Sequence, residues 1–298
     1  MSPENKDKRN KIQSPTEISF SGWKTILVDV KDQIAENNVV IVSAGVGFFG
    51  FLAIFPAIMA LISIYGLAMD PRQIEEQLTK ISSVVPEQTY EILKQRVENF
   101  INTSGGTLGW GTAFGILFGI WSANKGTKSL FTGVDIAYET KSNRGFLKQN
   151  GLTLLFTFGA IILIILSVAL IVAFPAIVNK ISLPGNIESL VSWLRWLIMA
   201  LILVSCISLV YAFAPERKRP KFKWVIPGSL LATVLWLIAS WGFSYYISNF
   251  GNFGEIYGSI AAVVILMLWL YLSSFIILLG AELNAELENY ANQDPAST

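Results

Sequence analysis

From residue 256 to residue 281 the chain carries no Asp, Glu, Lys or Arg, and Glu255 and Glu282 bound the stretch on either side. At ~1.5 Å rise per residue, such a stretch coiled as a helix is longer than the ~30 Å hydrocarbon core of a bilayer. A core helix of a soluble domain would carry charges on the face turned to water, and this one has none. It reads as a membrane span. Five further windows share the property, at 37–69, 99–124, 149–179, 196–215 and 224–254. Together they predict an all-α polytopic membrane protein with six transmembrane helices, at about 39–69, 106–124, 151–177, 196–214, 225–247 and 257–281.

Composition narrows the chemistry. Only 14% of residues are charged, against ~25% in an ordinary soluble domain. A net charge of +1 gives no global attraction for nucleic acid, so none is expected as a partner. The chain has no histidine, the commonest general base and metal ligand. Its one cysteine, Cys206, sits in an apolar run, so neither an internal disulfide nor a cysteine metal cluster is open to it. No metal, cofactor or enzymatic activity is expected.

Residues 1–19 are polar and read as a disordered cytoplasmic tail, with no cleavable signal peptide in evidence. Phe20, Trp23, Ile26, Leu27, Val30 and Ile34 then recur at helical spacing among Lys24, Asp29, Lys31 and Asp32. This predicts an amphipathic helix on the membrane surface or, equally, a straight extension of the first span. Residues 20–288 form one membrane domain, and 289–298 a second cytoplasmic tail. The connection 70–105 is too long for a simple turn. Ile74, Leu78 and Ile81, then Tyr90, Leu93 and Val97, predict an extracytoplasmic helical hairpin. Basic residues gather in the N-terminal segment, between the second and third spans, and at Arg217, Lys218, Arg219, Lys221 and Lys223. With six spans these share one side, which places both termini in the cytoplasm.

Polar groups near the span ends are the candidates for function. Asn124, Lys125, Lys128, Asp135 and Glu139 lie at and beyond the inner end of the second span, where Asp135 and Glu139, four apart, share a helix face. Glu282 and Asn284 close the sixth span, and Tyr257 opens it. At similar depth, Glu282 is expected to meet Lys125 or Lys128, either as a gate to a polar interior or as an anchoring ion pair at the headgroups. Gly111, Gly115 and Gly119 form a small-xxx-small face that lets a second helix approach closely. Trp110, Trp193, Trp196 and Trp224 fall where spans meet headgroups, as an aromatic belt does.

The early span ending in Phe55-Pro56, Pro215 ahead of a basic linker, Pro227-Gly228, Trp236, Tyr246 and Tyr257-Gly258 carry a resemblance. So do Trp269-Leu270-Tyr271 and the closing Leu279-Gly280-Ala281-Glu282-Leu283-Asn284. From about Trp23 to Glu288 the chain resembles the YihY/BrkB family of bacterial inner-membrane proteins, once labelled ribonuclease BN. The resemblance implies six spans and an inner-membrane location, and no biochemical activity.

Two classes of function follow. One is a transporter or lipid- and amphiphile-handling protein, with membrane lipids, an anionic headgroup or a small solute as partner. The alternative is a non-transporting scaffold or envelope-integrity factor.

Overall fold

The structure is a computed structural model. It describes residues 12, 14–68, 108–140, 143–168, 170, 185–217, 222–250 and 260–292. Every regular element among them is helical: a 3-10 turn at Pro15–Glu17, then α1 (Phe20–Glu36), α2 (Val39–Ala68), α3 (Leu108–Ala137), α4 (Phe146–Val168), α5 (Gly185–Phe213), α6 (Phe222–Phe250) and α7 (Ala261–Asn292). The helices α4, α5, α6 and α7 are each long and apolar enough to cross a membrane, and the bent pair of α1 and α2 counts as a fifth only if taken as one broken span. The second span expected from sequence falls within α3, and the hairpin expected over 70–105 lies outside the described residues.

The chain divides into two compact units. One comprises Met1–Phe49 and Thr127–Thr298, the other Gly50–Gly126. In the smaller unit Phe118 and Trp121 lie ring to ring at 5.5 Å, and Lys125 Nζ stands 4.0 Å over the Trp121 ring. Gly111, Gly115 and Gly119 share α3. Gly119 is buried, while the surroundings of Gly111 and Gly115 lie outside the described residues.

In the larger unit, α1 leaves α2 at 63°, so it is a separate helix and not a straight extension of the first span. The bend falls at Asn37-Asn38, where Asn38 takes a φ of 51°. Asparagine tolerates that left-handed conformation better than most residues, which is why the chain can turn there without glycine. α1 begins at Ser19, whose hydroxyl accepts the Gly22 N–H at 3.2 Å as an N-cap. Its buried face, Gly22, Ile26 and Val30, packs with Leu283 and Leu287 of α7. Phe20, Leu27 and Val28 on the other side are exposed, which suits a helix lying in the bilayer interface. Ile18 and the turn before it, inside the stretch expected to be tail, are ordered, and Ile18 is buried in the same cluster.

The main core joins Val39, Phe131, Val134, Tyr211, Val225, Ala232, Leu278 and Ala281 from five helices. Its closest approach is between α6 and α7. A Cβ on Gly228 would overlap the Gly280 carbonyl oxygen and lie 2.5 Å from Asn284 Cγ. One on Gly280 would lie 2.5 Å from the Tyr211 hydroxyl and 2.6 Å from the Gly228 carbonyl oxygen. Only glycine allows backbones this near to each other. Trp224, at 3% exposure, belongs to the cluster that α1 forms with α7 and not to an interfacial belt. Trp196 is exposed, as a belt residue would be.

Candidate functional site

Where α3 ends, α4 begins, α5 ends and α6 begins, the larger unit gathers Lys128, Arg144, Lys148, Arg217 and Lys223. The same end of the bundle holds the start of α2 and the last turns of α7, tied together through Asn37 and Glu282. The apolar part of α7 stops at Ala281, yet burial does not stop there. Glu282, Leu283, Asn284, Ala285, Glu286 and Leu287 are all buried. Polar side chains on a helix buried on all sides need partners inside the protein, and three sets of contacts gather around this end.

Asn284 mends a break in α6. Pro227 stands inside that helix and has no N–H to donate. One residue on, Gly228 N–H donates to Asn284 Oδ1 at 2.7 Å, and Asn284 Nδ2 donates to the Val225 carbonyl at 2.9 Å. A single amide thus serves one donor and one acceptor of a neighbouring backbone.

Two arginines hold the end of α5. Arg144 donates to the carbonyls of Phe213, Ala214 and Pro215 at 3.0, 3.0 and 3.1 Å. The last carbonyls of a helix lack intrahelical partners and carry the negative end of its dipole, so a guanidinium fits there. Arg217 pairs with Glu288, donates to the Tyr211 carbonyl at 2.6 Å and lies 4.3 Å over the Tyr138 ring. Tyr211 in turn donates its hydroxyl to the Ile277 carbonyl. Arg144→Gln is expected to lower stability by about 1–2 kcal/mol through loss of the cap. An unchanged thermal midpoint in lipid nanodiscs would show that the cap contributes nothing.

Glu282 is fully buried at 0% exposure, and its Oε1 accepts Asn37 Nδ2–H at 3.0 Å. Its Oε2 has no hydrogen-bond partner among the described residues. Lying just past the apolar span, its carboxyl is pushed above the usual range by burial; the Asn37 bond opposes this, and Glu286 and Glu139 add to the rise. Burial likewise raises Glu286, against its bond from Asn289.

The other residues singled out from sequence are placed as follows. Lys128 donates to Asn150 Oδ1, and among the described residues no salt bridge joins it to Glu282. Asn124, which is buried, and Lys125 belong to the smaller unit. Asp135 is buried and accepts the Thr140 hydroxyl at 3.1 Å; burial raises its carboxyl and that bond lowers it. Glu139 does not share a helix face with Asp135. It lies beyond the end of α3 with a φ of 50°, in the left-handed position that closes a helix, and Thr140 N–H returns to the Asp135 carbonyl at 2.9 Å. Tyr257 lies outside the described residues. Asn37, Arg144 and Arg217 are the contacts that sequence reasoning misses, the arginines because it counts them only as charge. A proline and glycine at the start of one span with an asparagine after another is the signal that points to Asn284.

The larger unit carries an apolar groove between α4 and α5, with a volume of about 510 Å³. Leu155, Phe156, Gly159 and Leu163 form one wall, Cys206 and Leu209 the other. It reaches Leu152, one helical turn from the exposed Lys148, and Phe213, whose carbonyl Arg144 holds.

Comparison with known proteins agrees with this architecture. The family model described as Virulence factor BrkB matches residues 30–298. The ribonuclease-like protein YfkH of Bacillus subtilis (strain 168) is 31% identical over 250 residues, covering 82% of this chain and 88% of its own length. UPF0761 membrane proteins of Xanthomonas campestris pv. campestris (strain 8004) and Xanthomonas oryzae pv. oryzae (strain PXO99A) are each 40% identical over 91 residues. Those matches cover 30% of this chain and span only 21% of the length of either relative. No solved structure matches the chain. With its several apolar helices and a family match over nearly its whole length, the chain belongs to the BrkB family of membrane proteins.

Proposed function

We propose that this chain handles lipids or similar amphiphiles in the bacterial inner membrane, as a six-span protein with both termini cytoplasmic. The observation that carries the reading is the groove between α4 and α5. Its volume of about 510 Å³ lies within the roughly 300–1,000 Å³ usual for small-molecule sites. Its lining is apolar, so a small polar solute finds little there to bond to, whereas an acyl chain does. Lys148 and Leu152 are four residues apart on α4 and share a face. An acyl chain in the groove therefore brings its headgroup to a lysine, and we take the occupant to be an anionic phospholipid. The basic end faces the cytoplasm in this reading, as the distribution of Lys and Arg favours. The reading assigns no nuclease role to a chain without histidine.

Gly159 is where the groove can be filled, because a Cβ there meets nothing within 4 Å. In protein extracted into polymer nanodiscs without detergent, Gly159→Phe is expected to lower co-purifying anionic phospholipid severalfold. Lys148→Glu is expected to shift the bound lipid towards zwitterionic species. Equal lipid content in parent and Gly159→Phe would sink the proposal. So would a change of oligomeric state in that variant, which would mean that a second copy of the chain fills the groove.

A further inference from the structure

The contacts of Glu282 are unusual for an ionised acid. It is fully buried, one carboxyl oxygen takes a single amide N–H, and the other has no partner among the described residues. The charged groups that act on it are themselves acidic: Glu286 from its own helix and Glu139 from just past α3. From α1, Asp29 faces Glu286, and Asn37 supplies the one bond. Glu288, next along α7, is already committed to Arg217. Among the described residues Glu282 has no salt-bridge partner. An ionised carboxylate in such a place is far more strongly disfavoured than the neutral acid. The neutral acid also keeps its carbonyl oxygen as an acceptor for Asn37.

The bond partner lies at a mechanically significant place. Asn37 follows the last residue of α1 and precedes Asn38, whose left-handed backbone makes the 63° elbow into α2. A hydrogen bond joins this elbow to α7 through Asn37 and Glu282, beside the apolar packing of Ile26 and Val30 on Leu283 and Leu287.

We propose that Glu282 is a proton-binding site that latches the elbow between α1 and α2 to α7: with the proton bound the elbow is held, and with the proton lost to water the elbow is released. This goes beyond the lipid-handling reading and does not depend on the groove. The sign follows from linkage. The latched state holds the proton more tightly than the released state, so latching is complete at low pH and lost as pH rises above the ordinary carboxylate range. The released carboxylate gains water, and α1 keeps its exposed apolar face in the bilayer interface.

The test uses the full chain in lipid nanodiscs, with Cys206→Ser and spin labels at Thr25→Cys on α1 and Asn292→Cys on α7, both at exposed positions. Distance distributions between the labels are read across pH, alongside the infrared band of protonated carboxyl groups. A short, narrow distribution at low pH should give way to a longer one as pH rises, together with loss of a carboxyl band. Glu282→Gln should remove that band and hold the short distance at every pH. Asn37→Leu should show the longer distribution already at low pH. A distance independent of pH in the parent overturns the proposal, and so does an unaltered pH response in Glu282→Gln. If Glu282→Gln fails to fold, the parent and Asn37→Leu still decide between these outcomes.

Discussion

Gly228→Ala should destabilise the folded protein by about 3 kcal/mol or more, at the upper end of what an extra methyl group costs in a packed interior. The new Cβ would overlap the Gly280 carbonyl oxygen, which is backbone and has no rotamer to move into. It would also press on the Asn284 amide 2.5 Å away. α6 and α7 would have to separate at the point where Asn284 bridges them, so packing and hydrogen bonding would fail together. The expected result is little folded protein in a mild-detergent extract and a sharply lower thermal midpoint for what remains. Gly159→Ala is the matched control, because its Cβ enters open space. If both variants behave like the parent, the close approach of α6 to α7 is wrong.

Asn284→Leu tests the other half of that contact. It keeps the bulk of the side chain and removes the side-chain acceptor of the Gly228 N–H and the amide donor to the Val225 carbonyl, which keeps the Ser229 hydroxyl at 2.9 Å. A buried group that loses its partner costs about 1–3 kcal/mol, and with the Val225 carbonyl still bonded a loss of that order is expected. Asn284→Asp keeps the acceptor for Gly228 and removes the donor to Val225, and should fall between the parent and the leucine variant. Equal thermal midpoints for the three would mean that the amide bridge contributes nothing. Hydrogen exchange at the first turns of α6 gives an independent reading. Protection there should drop in Asn284→Leu, while distant turns of α4 hold theirs.

Apolar length is the part of this architecture that the sequence displays most openly. A window without charge reports the solvent around a helix, and α4 to α7 emerge close to where those windows lie. The amphipathic α1 is legible for the same reason, since the spacing of Ile26 and Val30 records a face that is buried. Pairing between distant residues leaves no such mark. Glu282 and Asn37 stand 245 positions apart, and neither has a neighbour in sequence that announces the other. Charge arithmetic points Glu282 towards a lysine, but Lys128 finds Asn150 instead, on the adjacent helix. The expected shared face of Asp135 and Glu139 assumes that α3 continues, and its left-handed ending at Glu139 breaks the spacing. Trp224 is read as a belt residue because it begins a span, whereas packing from α1 and α7 covers it.

The seating of α1 against the far end of the chain also sets a schedule for biosynthesis. Ile26 and Val30 have their buried face completed by Leu283 and Leu287, which the ribosome adds much later. At synthesis rates of about 5–20 residues per second, the 245 positions between Asn37 and Glu282 correspond to a delay of about 12–50 s. Until Trp224 and then Leu283 and Leu287 are made, the nascent α1 lacks the side chains that complete the cover of its apolar side. Phe20, Trp23 and Leu27 give it an alternative resting place among the lipid headgroups, with Lys24 and Lys31 beside them. The first helix made is thus parked at the membrane surface and is among the last to be assembled, so a ribosome stalled before residue 283 would leave a chain with its opening segment undocked.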